Sequence, residues 1–311
     1  MNQLIEKVIL VTGANGFIGA HLVKRLSELT DAKVLLLSRR RQQSRGNLVC
    51  VQRELGQLSK KYWCDMGAPK IDYVFHLGAF TPKIPSEANR MEQIVGDNIV
   101  GTLALLQSLP VKPEKLVFAS TLDVYGQPND EVLTESSNVA PSTLYGESKL
   151  FCEGLVSAWG KEEGCDYAIL RYGHIYGPGE DKYGKLIPTV IRSLLANRAP
   201  TVYGDGSVLR DYLYVGDAVE ATLRAALAPG IIGPINVVRG ESVALRDIVQ
   251  LLIRFVGSDL HINFLTEKPN GTSLRFDNDL MIKSLGQWSM TGLEEGLAAE
   301  VEAFRRISND G

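Results

Sequence analysis

A glycine-rich turn near the N-terminus constrains this chain more than any other stretch. A predicted strand, Lys7 to Val11, runs into TGANGFIG at residues 12–19, and the pattern then turns helical in AHLVKRLSEL. Gly13, Gly16 and Gly19 fall at GxxGxxG spacing. The first glycine permits a tight turn, the second brings backbone close to a ligand, and the third lets helix pack on strand. Unpaired N–H groups at the helix start, with the positive end of its dipole, then suit a pyrophosphate. Such a turn alone is also ordinary structural punctuation. Set between a strand and a helix, it predicts a dinucleotide site.

The remaining chain repeats the same rhythm. Apolar runs at 34–37, 48–51, 73–77 and 116–120 read as buried strands, with further strands at 166–170 and 234–238, and helical stretches lie between them. Alternation of this kind implies right-handed crossovers and a Rossmann-type, doubly wound parallel α/β sheet. The expected division is a dinucleotide-binding domain over 1–172, with a returning strand near 210–238, and a smaller substrate-binding lobe mainly over 173–311. At 311 residues the chain can bury a large core. A formal charge of −3 leaves no basic footprint for nucleic acid or anionic membrane. No apolar run approaches the ~18 residues of a membrane span. Cys50, Cys64, Cys152 and Cys165 lack CxxC spacing, and His21, His76, His174 and His261 are dispersed, so no metal is expected and a reducing, cytoplasmic setting is.

Two features carry chemistry. Tyr145 and Lys149 are four apart at the start of a predicted helix, so both lie on one face. A phenol that trades a proton with a substrate oxygen, with an ammonium beside it, suits reversible hydride transfer at an alcohol or ketone. Ser120–Thr121 follow a buried strand, where a hydroxyl faces the ligand crevice; the same residues also suit a plain turn or cap.

With these residues in place, the chain resembles the extended short-chain dehydrogenase/reductases that act on nucleotide-diphospho-sugars. The resemblance runs through TGANGFIG, HLGAF (76–80), NIVGT (98–102), STLDVYG (120–126), YGESK (145–149), RYGHIYGPG (171–179), KLIP (185–188), VYGDGSVLRDYLYV (202–215), INVVRGES (235–242), LRFDNDL (274–280) and GLEEGL (292–297). It implies a catalytic triad of Thr121, Tyr145 and Lys149, and a pyrophosphate held by Gly13, Asn15, Gly16, Phe17, Ile18 and Gly19. Glu54 and Leu55 would touch the adenine. Leu77, Gly78, Ala79, Asn98, Ala119, Ser120 and Tyr172 would line the ribose and nicotinamide. Substrate contacts would come from Thr81, Thr121, Asp123, His174, Lys185, Leu186, Val202, Tyr203, Arg210 and Arg275, the two arginines neutralising the diphosphate. A homodimer through the helices starting near Met91 and Tyr145 is implied as well.

Three departures from the family pattern refine the expectation. The second strand ends in Ser38-Arg39-Arg40-Arg41 where relatives that use NAD carry an aspartate, which predicts NADP(H) over NAD(H). Leu122 and Asp123 replace the Asp-Glu of the 4,6-dehydratases, which argues against dehydration. His174 stands where many relatives have asparagine, and its role stays open between substrate contact and packing. The reading is an NADPH-dependent 4-keto-sugar reductase, delivering the pro-S hydride to C4 as the resemblance implies. Its alternative is a nucleotide-sugar 4-epimerase with a retained cofactor, and a non-catalytic dinucleotide-binding protein is a third class.

Overall fold

Strand β1 (Val8–Thr12) shows why the chain builds a sheet covered on both sides. Ile9 and Val11 enter one hydrophobic cluster, while Leu10 enters a second on the opposite face. Period-two alternation of residues that are all apolar leaves neither face for water. The structure is a computed structural model, and it describes residues 4–39, 43–127, 130–267 and 271–309.

After β1 come α1 (Phe17–Leu29), β2 (Lys33–Ser38), β3 (Leu48–Gln52), α2 (Lys60–Asp65) and β4 (Tyr73–His76). Helix α3 (Met91–Ile94) continues through a π-helical turn, Val95–Val100, into α4 (Gly101–Ser108), followed by β5 (Lys115–Thr121), α5 (Leu144–Glu163), β6 (Asp166–Tyr172) and β7 (His174–Tyr176). The C-terminal half supplies α6 (Leu186–Leu195), β8 (Thr201–Tyr203), β9 (Leu209–Tyr214), α7 (Val215–Leu227) and β10 (Ile232–Val237). It closes with β11 (Ser242–Ala244), α8 (Leu245–Val256), β12 (Asn263–Leu265), α9 (Asp279–Leu285) and α10 (Leu293–Asn309).

The central sheet has seven strands in the order β10-β6-β5-β4-β1-β2-β3, and every neighbouring pair in it is parallel. Strand order reverses between β1 and β4, and at such a switch point the strand ends open a crevice for a ligand. The fold is therefore the doubly wound α/β sheet that the alternation predicts.

Residues beyond 172 do not all stand apart from this sheet. β10 joins its edge, and α7 and α9 place Ala218, Val219, Met281 and Leu285 in the cluster shared with β1. A separate core gathers α6, α8 and α10 around Ile187, Ile191, Ile248, Leu252, Leu297 and Val301. Two small sheets, β11-β9-β7 and β12-β8, flank it. Among the described residues no helix is long and apolar enough to cross a membrane.

Candidate active site

The glycine turn is shaped by backbone meeting backbone. Gly13 has φ +68°, and a Cβ on it would lie 2.7 Å from the amide nitrogen of Gly78; one on Gly19 would lie 2.1 Å from the Gly13 carbonyl oxygen. β1, the loop after β4 and α1 thus interlock with no side chain between them. Gly16 donates its N–H to Gly13 O at 2.8 Å and opens α1 without a side-chain cap, so Phe17, Ile18 and Gly19 begin the helix with N–H groups facing outward. This cradle fits a dinucleotide's pyrophosphate.

Around it, Asn15 Nδ2 donates to Ser38 Oγ at 2.7 Å, tying the turn to the end of β2. The next residue, Arg39, is exposed and pairs with Asp97 of the π turn at 3.2 Å. Arg40 and Arg41 lie outside the described residues. Glu54 begins a 3₁₀ turn in which its N–H donates to Gln57 Oε1 at 3.3 Å, and Leu55 packs onto Gly101.

Beneath the loop after β4 runs a hydrogen-bonded chain whose direction is fixed by its ends. Gly78 N–H donates to Thr12 Oγ1 at 2.9 Å, Thr12 meets His76 Nδ1 at 2.7 Å, His76 Nε2 meets Thr102 Oγ1 at 2.9 Å, and Thr102 donates to Asn98 O at 2.5 Å. Because Thr102 spends its proton on a carbonyl, it accepts from Nε2–H, and Nδ1 accepts from Thr12. Burial first, and the nearby Lys149 charge second, push His76 down to about 3, so it stays neutral. Asn98 extends the chain: its Oδ1 accepts from Phe80 N at 2.7 Å, and its Nδ2 donates to Phe80 O at 3.2 Å and Ser148 Oγ at 2.9 Å. Asn98 therefore fixes the Leu77–Phe80 loop to α5 from inside the protein.

The catalytic candidates converge where β5 ends. Thr143 caps α5 by accepting from Gly146 N, which sets Tyr145 and Lys149 in the first turns. Lys149 is buried, donates to Ala119 O at 2.7 Å, and lies 4.8 Å from the centre of the Phe118 ring. Burial lowers its pKa to about 8. Burial also raises the Tyr145 phenol above its ordinary value, while hydrogen bonding to Thr81 and to Thr121 opposes that rise. Thr121 Oγ1 accepts from Asp123 N at 3.2 Å, capping the 3₁₀ turn Leu122–Tyr125. Leu122 is buried there, and burial raises the Asp123 carboxyl, which sits at the rim.

Three of the residues expected at the site have their side chains engaged inside the protein. Ser120 donates to Glu153 Oε1 at 2.5 Å, because strand alternation turns it toward the face that α5 covers. It belongs to a buried set in which Arg171 binds Glu153 at 2.9 and 2.8 Å and Tyr125 at 3.0 Å. Tyr172 meets Thr222 Oγ1 at 2.6 Å in the core under α7 rather than the crevice. The Val202 side chain is buried in the α6–α8 core, whereas Tyr203 is exposed.

Among the residues expected to meet substrate, Lys185 donates to Ile175 O at 3.0 Å and Glu180 Oε2 at 3.1 Å, and its ammonium lies 5.5 Å from the Phe17 ring centre. Leu186 starts α6 beside it. The loop after β4 meets this segment through Gly184 N–H and Lys83 O at 2.9 Å, with the Lys83 ammonium 5.7 Å from the Tyr183 ring centre. Burial first, then the Arg210 and Lys185 charges, lower His174 to about 4, and its buried Nδ1 has no hydrogen-bond partner. Arg210 donates to Leu209 O at 2.8 Å and Thr272 O at 2.6 Å. Arg275, on the adjoining segment, pairs with Glu131 at 3.3 Å and lines a cavity of about 440 Å³ with Leu209, Ser242 and Asn278.

Sequence reasoning missed His76, Thr102, Ser148 and Glu180. Asn98 and Thr102 do fall four apart on one helical face, a spacing that can flag a polar seam.

Comparison with known proteins decides the family. The sequence model of the NAD dependent epimerase/dehydratase family matches residues 9–237. The chain belongs to that family. A relative from Methanocaldococcus jannaschii, named "Putative UDP-glucose 4-epimerase", is 31% identical over 306 residues, covering 93% of this chain and 96% of that protein. The UDP-N-acetylglucosamine 4-epimerase of Methanobrevibacter ruminantium, solved with UDP-N-acetylmuramic acid, superposes with a TM-score of 0.84 at 27% identity, covering 97% of this chain and 99% of that one. The UDP-glucuronic acid 4-epimerase of Bacillus cereus, solved with UDP-glucuronic acid and NAD, gives 0.83 at 26% identity, covering 96% and 99%. The matched family is described as NAD dependent, and the chain is an enzyme of that family.

Proposed function

We propose that the protein is a nucleotide-diphospho-sugar 4-epimerase that keeps its dinucleotide through turnover. The carrying observation is the meeting of the Tyr145 phenol with Thr121 at the end of β5, where Lys149 is fixed to the Ala119 carbonyl. A reductase, the first expectation from sequence, uses the same three groups. Two things favour the epimerase. Several similar proteins of matching length bear 4-epimerase names, although a decarboxylase and a 5,6-dehydratase of matching length are similar too. The Lys83–Gly184 hydrogen bond also ties the loop after β4 to the segment before α6 beside Phe17, an arrangement suited to a cofactor that does not leave between cycles.

A bound dinucleotide supplies hydride acceptance and return at C4. Tyr145 takes the sugar O4 proton and gives it back, and the Thr121 hydroxyl holds that oxygen in line. The Lys149 ammonium lowers the cost of the phenolate that Tyr145 passes through. Buried Leu122 offers no proton to a departing hydroxyl, which disfavours dehydration. Lys185, Arg210 and Arg275 would take the diphosphate, with His174 and Leu186 beside them.

The test is a panel of UDP- and dTDP-hexoses incubated with the protein and no added cofactor. Interconversion of C4 epimers is expected, and Tyr145→Phe should slow it by about 10²–10⁴-fold. Turnover that consumes added NADPH stoichiometrically returns the reading to the reductase. For the dinucleotide we propose NADP(H), since β2 ends in a hydroxyl and a guanidinium. Arg39→Ala should then weaken NADP⁺ binding about tenfold and leave NAD⁺ binding unchanged, as read by fluorescence titration. Equal affinity of the wild type for both refutes the preference.

A further inference from the structure

We propose that Glu180 and Glu300 share one proton across the contact between the Gly177–Lys185 segment and α10, and that this shared proton keeps Lys185 aimed at the nucleotide-sugar site.

Both carboxyl groups are fully buried. Glu180 Oε2 accepts from Lys185, and the Gly177 N–H is directed at Glu300 and lowers its carboxyl, but no donor meets Glu180 Oε1 or either Glu300 oxygen in good hydrogen-bond geometry. Three buried carboxylate oxygens without a well-placed donor are costly, and two like charges side by side in an apolar core add to the cost. One proton held between them removes both penalties, with Glu300 as the acid that donates and Glu180 as the carboxylate that accepts. Burial, then the Glu180 charge, raises Glu300 to about 10, and burial raises Glu180 against the pull of Lys185. The surrounding groups leave this assignment intact. Lys185 and Arg192 are the cations that act on the pair, and Tyr176, Tyr183, Tyr212 and Tyr214 are the phenols around it. Arg192 is already spent on the carbonyls of Asp181 and Tyr183, at 2.6 and 3.1 Å.

The link to function rests on the nucleotide-sugar reading. Lys185 is held on one side by Glu180 and Ile175 O, so where Glu180 sits decides where the ammonium points. Glu300 would thus act through Glu180 as a positioning residue, with no contact to substrate.

The sign of the pH effect follows from linkage. A carboxyl that keeps its proton to about pH 10 when folded, but releases it near ~4.3 when unfolded, makes the folded state the one that binds more protons. Stability contributed by this pair therefore falls as pH rises through that window. The experiment follows melting temperature against pH for wild type, Glu300→Gln and Glu300→Ala, together with UDP affinity for the same proteins. Glu300→Gln, a neutral donor of the same shape, should flatten the pH slope and keep UDP affinity at wild-type level. Glu300→Ala should weaken UDP binding about tenfold. Adding Glu300→Ala to Lys185→Met should weaken it no further than Lys185→Met alone. A Gln variant with the wild-type slope overturns the shared proton, and additive losses in the double variant overturn its action through Lys185. If the wild type does not bind UDP, the ligand half fails with the nucleotide-sugar reading, and the melting curves still decide the proton.

Discussion

Lys149 shows how much one side chain depends on where the fold puts it. Its ammonium sits between the Ala119 carbonyl and the Phe118 ring, and burial there brings its pKa to about 8. An unfolded lysine titrates near ~10.4, so the folded state releases this proton first. Raising pH through about 8 should therefore weaken dinucleotide binding as the charge is lost, while the stability cost of burying that charge fades toward pH ~10.4. The two trends run in opposite directions. Lys149→Met should flatten both, as read by fluorescence titration and by thermal melts across the same pH series. The placement of Tyr145 and Lys149 near the start of one helix is legible in the sequence from their four-residue spacing. The direction of the Ser120 hydroxyl is not legible, because a strand end offers two faces and the packing of α5 decides which one it takes. The Glu180–Glu300 contact joins residues 120 positions apart, a pairing that no local pattern announces.

At the scale of elements, the seven strands of the central sheet were legible for a plain reason. The inner strands are buried on both faces, so they read as apolar runs bounded by turn residues, and the edge strands β3 and β10 keep enough apolar residues to read the same way. The π turn at Val95–Val100 was not, since its widened backbone answers to contacts made elsewhere. There Asn98 O accepts from both Thr102 Oγ1 and Cys152 Sγ, and its side chain grips Phe80 and Ser148. Such single π turns recur at functional sites. Asn98→Ala leaves Phe80 N–H and O without partners in a buried place, and should destabilise the fold by about 1–3 kcal/mol. Chemical denaturation measures that loss. The same variant should lower kcat more than it raises KM, since the slackened loop lies between the cradle and the catalytic helix. An Asn98→Ala protein as stable as wild type would remove this account.

For the whole molecule, the surface of α3, α4 and α5 carries the feature still without a partner. Met91, Val95, Val100, Leu103 and Phe151 are each 40–58% exposed on adjoining helices. A contiguous apolar face of this kind marks an association surface. We propose that two copies meet there, and sedimentation equilibrium should show a dimer at micromolar concentration that Phe151→Glu with Met91→Lys converts to monomer. A wild-type monomer would exclude it. The interlocked glycines 13, 19 and 78 set a different expectation for the molecule as a whole. Three chain segments that touch through bare backbone leave no slack to be taken up, so the mould is finished before anything is cast in it. Capture of the cofactor should then carry only the modest heat-capacity change of covering a ready-made surface, without the large signature of a loop that orders as it binds.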